Sequence, residues 1–158
     1  QGINTGRIYL FTFAAGCASM GSRAEGPDPS PGYSPGEVVR ILVDAPREND
    51  ADDRGIAILF RFASPENRSV TGPFPRFAAM IRSPLYEPML NHVSALYDEM
   101  EVAGDLARQQ VAFATPGGWA VIYSFLLRRQ PSGEYAGCWM TERVTVVNAL
   151  RLPRGRPA

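Results

Sequence analysis

A handful of side chains in this chain could do acid–base or anion chemistry. His92, the single histidine, and Asp98 could accept a proton once desolvation moved an imidazole or a carboxylate toward a neutral pKa. Tyr86, Tyr97 and Tyr123 could place a phenol across from such a base, and Arg61 and Arg68 could hold an anion. If the chain is an enzyme, His92, Asp98 and Tyr86 are its candidate catalytic groups. Each also has an ordinary reading. His92 falls in a turn, where an imidazole is solvated or caps backbone groups. Asp98 adjoins Glu99 and lies close to Glu101, and charges this dense on a strand mark its wet face. Tyr123 sits in a strand that is apolar on both phases, which suits a core or interface residue with a satisfied hydroxyl. Arg61 and Arg68 flank a helix C-terminus and a tight turn, where a guanidinium binds backbone carbonyls.

Stronger motifs are missing from the sequence. It has no glycine-rich phosphate loop, nucleophile elbow or H-E-x-x-H pattern. Its two cysteines, Cys17 and Cys138, are far apart and lack a neighbouring Cys or His at metal-ligand spacing, so they read as small buried thiols rather than as a disulfide framework or a zinc site. A multi-histidine metal site is excluded by the single His. No cofactor is expected. The 16 basic residues, all Arg, balance 16 acidic ones, which argues against a nucleic-acid footprint or an anionic-membrane binder. The absence of Lys answers no electrostatic need and reads as the coding bias of a GC-rich genome. With 158 residues, 45% of them hydrophobic, the chain fits one domain of about 100 to 120 residues plus tails.

The elements that must position these groups begin after a long arm. Residues 1–33 are expected to form an extended arm, apolar from Ile8 to Ala18 and rich in Pro and Gly from Gly21 to Pro35. The apolar run, with Arg7 ahead of it, has the look of a signal h-region, yet it is about half the ~20 residues a membrane-crossing helix needs. The chain starts on Gln1, which suggests either a removed targeting segment or a longer parent chain. Ile8, Tyr9, Leu10, Phe11 and Phe13 are expected to bind a partner, with peripheral membrane contact as a further role of the arm. The other reading is that the arm folds back on its own domain.

Residues 34–148 read as an α+β domain. Ser34-Pro35-Gly36-Glu37 is a capped helix start, and helix one should run to about Ala45, ended by Pro46. Asp52 or Asp53 should cap a second helix, whose Ile56, Leu59, Phe60 and Ala63 form one buried stripe. Ser64 to Asn67 should be a short capped turn, a third helix should run from about Pro75 to Arg82, and Tyr86 to His92 should be a Pro-bracketed turn. From Ser94 the period becomes alternating, with a strand through Leu96, Met100 and Val102 and another through Val111 and Phe113. The run from Trp119 to Leu127 should be covered on two sides. The last strand should lie between Tyr135 and Val147, with Cys138, Met140, Val144 and Val146 in phase. Three N-terminal helices on a curved antiparallel sheet of about four strands is the expected layout. Residues 149–158 are expected to be an Arg/Pro-rich tail.

The strings Phe60 to Arg68, Thr71-Gly72-Pro73, Arg76 to Met80, and Tyr86, Pro88 and Leu90, with Tyr135 to Met140, resemble a domain-of-unknown-function family, number 4864. Ser64, Pro65, Asn67, Arg68, Gly72 and Pro73 carry its motif, and the similarity spans roughly Pro35 to Val147. The resemblance implies a conical fold of the nuclear-transport-factor-2-like, or cystatin-like, superfamily, and bacterial and plant or algal relatives. It brings no catalytic residues. Members of the wider superfamily isomerise or hydrate substrates inside the cone, so a small-molecule binder or an isomerase- or hydratase-like enzyme is the alternative function. The favoured expectation is a non-catalytic accessory subunit that binds protein subunits of a larger organellar assembly. A thylakoid-associated photosynthetic complex of the chloroplast comes first and a mitochondrial complex second.

Overall fold

Ser34 forms the capping box that its sequence announces. Its hydroxyl oxygen accepts from the N–H of Glu37 at 3.2 Å, and the Glu37 carboxylate accepts from the N–H of Ser34 at 3.1 Å. The computed structural model describes residues 26–155, so the arm residues Ile8, Tyr9, Leu10, Phe11 and Phe13, with Cys17, lie outside the described residues. From the capping box α1 runs Pro35–Arg47. Pro46 does not end α1, contrary to the sequence reading. It sits in the last turn, where only one hydrogen bond is forfeited, and the N–H of Glu48 still returns to the oxygens of Asp44 and Ala45.

The start of α2, Arg54–Phe62, also differs from expectation. Asp53 stands at the cap position with φ +58°, and this left-handed backbone leaves its carboxylate without a cap bond. Asp50 and Asn49 do that work instead: Asp50 Oδ1 accepts from the N–H of Arg54 at 3.1 Å, and Asn49 Oδ1 from that of Ile56 at 3.1 Å. Asp53 binds Arg82 beyond the far end of α4 and accepts from Asn49 Nδ2, contacts that hold its carboxyl below the usual range. Where α2 crosses α1, Gly55 is required by close approach. A Cβ there would stand 3.0 Å from Asn49 Cα and nearer still to the Ala45 oxygen.

The two expected turns prove to be helical. Ser64 Oγ accepts from the N–H of Asn67 at 3.1 Å, and Pro65 at the first helical position starts α3, Pro65–Thr71. After α4, Phe74–Ile81, the stretch between Tyr86 and His92 forms α5, Glu87–Asn91, with Pro88 in its first turn. The described residues therefore carry five helices rather than three.

The sheet has five strands: β1 Ser94–Tyr97, β2 Glu101–Ala103, β3 Leu106–Ala114, β4 Trp119–Arg129 and β5 Trp139–Arg151. All pairs are antiparallel, in the order β1, β3, β4, β5, with β2 also on β3. The single strand expected through Leu96 and Val102 is two. Between them Asp98 turns its carboxylate onto the N–H of Glu99 at 2.8 Å, a local bond that competes with the ladder. β5 takes in the first residues of the expected tail, and the N–H of Leu152 still reaches the oxygen of Gly118.

Two register shifts along β4 and β5 lie between Ile122 and Tyr123 and between Leu126 and Leu127. Bulges of this kind bend a strand and change its side-chain phase. Met140 pairs with Arg128, whereas Thr141 pairs with Leu127 and Val144 with Phe125. Thr141, Val144 and Val146 therefore share the helix-facing side, and the expected common phase of Met140 with Val144 is lost.

The core sits between the helices and one sheet face. Val38, Val39, Leu42, Ile56, Leu59 and Phe62 meet Val111, Phe113, Tyr123, Phe125 and Leu127 there, all but excluded from water. The opposite face is half-exposed. Across it Leu96, Ala112 and Ile122 form one row, and Ala114, Ala120 and Leu150 the next, with Leu96 76% and Leu150 50% exposed. The doubly apolar β4 thus buries one phase and leaves the other open.

The described part of the Pro-rich strap lies back on its own domain. Arg61 donates Nη2 to the Pro27 oxygen at 3.3 Å and pairs Nε with Asp28 at 3.1 Å, while the Tyr33 ring packs 6.3 Å from that of Phe62. Among the described residues no helix is long and apolar enough to cross a membrane.

Candidate functional site

Between α3, α4 and α5 on one side and β4 and β5 on the other lies a cavity of about 510 Å³. Leu42, Leu59, Phe77, Ile81, Met89 and Phe125 give it an apolar wall. Its polar contributors are Glu66, Asn67 and Thr71 from α3, Tyr86 from the start of α5, and Arg128, Thr141, Glu142 and Arg143 from the strands. Arg128 and Glu142 face each other at 3.7 Å. An apolar pocket of this size with a few convergent polar groups has the make-up of a small-molecule site.

Of the motif Ser64, Pro65, Asn67, Arg68, Gly72 and Pro73, Asn67 lines the cavity and the others frame α3 beside it. The main-chain oxygen of Thr141 accepts from the N–H of Ser64 at 2.9 Å and from Asn67 Nδ2 at 3.1 Å, which fastens α3 to β5. Arg68 donates Nε to the Phe60 oxygen at 3.0 Å and Nη2 to the Arg61 oxygen at 2.7 Å, closing the last carbonyls of α2. Its guanidinium also lies 4.9 Å above the Phe60 ring. Gly72, at φ +81°, ends α3, and Pro73 leads into α4. The carbonyl-binding role read for Arg68 holds. Arg61 likewise takes the oxygen of Pro27.

The three catalytic candidates are not brought together on the cavity. His92 is buried at the end of α5, its Nδ1 3.2 Å from the Pro88 oxygen and 3.1 Å from the Met89 oxygen, with its ring 4.5 Å from Phe113. Of the two readings its turn position allowed, solvated or capping, the structure shows capping, and burial pushes its pKa down, so the neutral ring donates Nδ1–H to these carbonyls. Asp98 is exposed, as its neighbours predicted, and occupied with the N–H of Glu99. Of the three only Tyr86 lines the cavity. Its hydroxyl donates to the Val144 oxygen at 2.9 Å, and burial raises its pKa. Tyr123, stacked on Tyr86 at 6.2 Å, donates to the Leu85 oxygen at 2.7 Å, and burial lifts its phenol far above its ordinary value. Tyr97 carries Arg40 over its ring at 4.6 Å. Cys138 is free and buried, which raises its thiol pKa and makes it a poor nucleophile. Among the described residues no three His, Cys, Asp or Glu side chains gather as a metal site would need.

Thr141 escaped the sequence reading. It is 5% exposed and lines the cavity, and its hydroxyl oxygen has no hydrogen-bond partner in the protein. Thr141 keeps the phase of Trp139, opposite Met140, and the register shift just beyond it brings Val144 onto the same side, so a single phase drawn from Cys138 to Val146 leaves Thr141 out. Compared with known proteins, the chain matches no family model, no curated protein and no solved structure.

Proposed function

We propose that this chain is a non-catalytic accessory subunit that buries the open face of its sheet against a protein partner in a larger assembly. The observation that carries the reading is the double apolar row of Leu96, Ala112 and Ile122 beside Ala114, Ala120 and Leu150, on a face that the helices leave half-exposed. An antiparallel sheet open on one side ordinarily turns polar residues to water. Contiguous apolar residues there mark a contact surface. The candidate acid–base groups support the same reading, because His92 Nδ1, Asp98 Oδ1 and the Tyr86 hydroxyl each hold a backbone group and the three are not brought together. In this proposal the fold is a variant of the nuclear-transport-factor-2-like cone, with the β5 bulges supplying curvature. The arm residues Ile8 to Phe13 add to the contact. The plant and algal relatives that the resemblance implies favour an organellar setting, a thylakoid-associated photosynthetic complex before a mitochondrial one.

A photo-crosslinking residue at Leu96 of the full chain, expressed in its source cells, tests this. One discrete partner polypeptide is expected to be captured from Leu96 and none from Val70 on the helical side. Ile122→Glu is expected to move the chain from a large particle to its own mass of 17.3 kDa without altering its melting. A wild-type chain that migrates alone, with no crosslink from Leu96, would overturn the proposal.

A further inference from the structure

The open face of the sheet carries a hollow of about 290 Å³ where the row Leu96, Ala112 and Ile122 meets Asp98 and Gln110. We propose that this hollow seats one basic side chain of the protein partner, an arginine or a lysine. Its aliphatic stem lies along the apolar row and its cationic head at the Asp98 carboxylate. This anchor rests on the docking reading of the face and gives that reading the chemistry of its partner.

The shape comes from the cross-strand register. Ala112 stands between Leu96 on β1 and Ile122 on β4, so a single methyl forms the floor and two branched side chains the sides. These groups are presented to an incoming surface: Leu96 is 76% exposed, and Ala112, Ile122 and Gln110 are half-buried. At about 30 Å³ for each water-sized group the space holds roughly ten, which suits one long side chain and not a helix. Arginine and lysine cover apolar surface with their methylenes while the charged head keeps polar company.

The charges of the face decide the head group. The N–H of Asp98 donates to the Gln110 oxygen at 2.9 Å, which places the two residues side by side at the polar end of the hollow. Asp98 Oδ1 accepts from the N–H of Glu99, and Oδ2 has no partner among the described residues. Glu101 is matched by Arg108 at 2.8 Å, whereas Asp98 and Glu99 form no ion pair among the described residues. Across the sheet, exposed Arg143 beside Leu126 forms none there either. The face is therefore acidic at β1 and basic at β5. A partner lying across it is attracted in one orientation, with its base at Asp98, and an acidic anchor in the hollow is repelled.

The test uses the full chain with ¹³C-labelled Ala, Ile and Leu methyls, titrated with the acetylated, amidated tripeptides Leu-Arg-Leu, Leu-Lys-Leu, Leu-citrulline-Leu and Leu-Glu-Leu. Citrulline keeps the shape of arginine and removes its charge. Saturable shifts at Leu96, Ala112 and Ile122, and none at Ile56 in the core, are expected with the arginine and lysine peptides. The arginine peptide is expected to bind about threefold more tightly than the citrulline one at low salt, the scale of an exposed ion pair, and to lose that advantage as salt rises. Asp98→Asn keeps an acceptor for the Glu99 N–H, and is expected to melt as wild type and to remove the advantage. The proposal is overturned if the hollow's methyls do not move, if citrulline or glutamate serves as well as arginine, or if the advantage survives Asp98→Asn. A chain that sediments as a dimer, with the hollow's methyls shifting with concentration, assigns the hollow to a second copy and overturns it as well. The docking reading is judged separately, by the crosslink from Leu96.

Discussion

Asn67 donates its side-chain amide to the main-chain oxygen of Thr141 across 3.1 Å, joining residues 74 positions apart in the chain. The N–H of Ser64 reaches the same oxygen at 2.9 Å, so the start of α3 is fixed to the edge strand where the cavity ends. The short motif that looked like a turn is thus the joint between the helical layer and the sheet. Arg68, one residue further on, binds α2 to the same joint.

This joint gives a graded pair of mutants. Asn67→Ala removes one of the two donors to Thr141 and is expected to cost about 1 kcal/mol in urea unfolding. Arg68→Met removes a half-buried guanidinium from two carbonyls and is expected to cost about 2–3 kcal/mol, because charge-assisted bonds are stronger. Equal effects would mean that the Arg68 contacts add nothing beyond its packing.

Gly55→Ala sets propensity against packing. Alanine is the better helix former by about 1 kcal/mol, so an unencumbered site would be stabilised. Here the added methyl meets backbone at Ala45 in α1 and at Asn49 just beyond it. Overpacking costs about 1–3 kcal/mol, so net destabilisation is expected, read as a lower denaturation midpoint.

Stability should fall as the pH drops through the histidine range. Burial, which dominates over the carbonyl contacts with Pro88 and Met89, depresses the folded pKa of His92. The unfolded chain, with a pKa of about 6.5, therefore takes up the proton first. The contribution of the neutral ring is complete above that value and is lost as the pH falls below it, ahead of the carboxylates near 4. Denaturation midpoints from pH 8 to 5 are expected to decline in wild type and to stay flatter in His92→Gln.

The two sheet faces should respond differently to substitution. Phe125 is fully buried against the helices, and Phe125→Ala is expected to cost about 3–5 kcal/mol. Ile122, its neighbour on the open face, contributes less to the core. Ile122→Thr is expected to stay within about 1 kcal/mol of wild type in thermal melts. Comparable losses at both positions would show that the open face is part of the fold rather than a surface for another chain.

Local chemistry made part of this protein legible from its residues. Ser34, Pro35 and Glu37 mark the start of α1 because a capping box is complete within a few residues. The alternation through Val111 and Phe113 of β3 marked the sheet, and the doubly apolar β4 announced that both of its faces would be in use. The crowding of Asp98 by Glu99 and Glu101 placed it in water, and the position of Arg68 beside a helix end foretold its carbonyl contacts.

Other features depended on partners distant in the chain. Asp53 looked like a cap, but a left-handed backbone and Arg82, 29 residues away, redirected its carboxylate. Five helices formed where three were expected, because residues between Ser64 and Asn67 and between Tyr86 and His92 had cap and proline signals too short to separate a turn from a helical turn. His92 read as a solvated or capping group, and only α5 decided for the cap, laying the ring against Phe113. The cavity was invisible because its walls come from α3, α4, α5, β4 and β5, and because the bulge after Thr141 puts Thr141 and Val144 on one side against simple alternation. A side-chain period of two allows one inserted residue to reverse a face, and the sequence carries no mark of where β5 takes that residue up. Caps and alternation are properties of a few consecutive residues, whereas a cavity is shaped by pairing and packing between segments that meet only when the chain is folded.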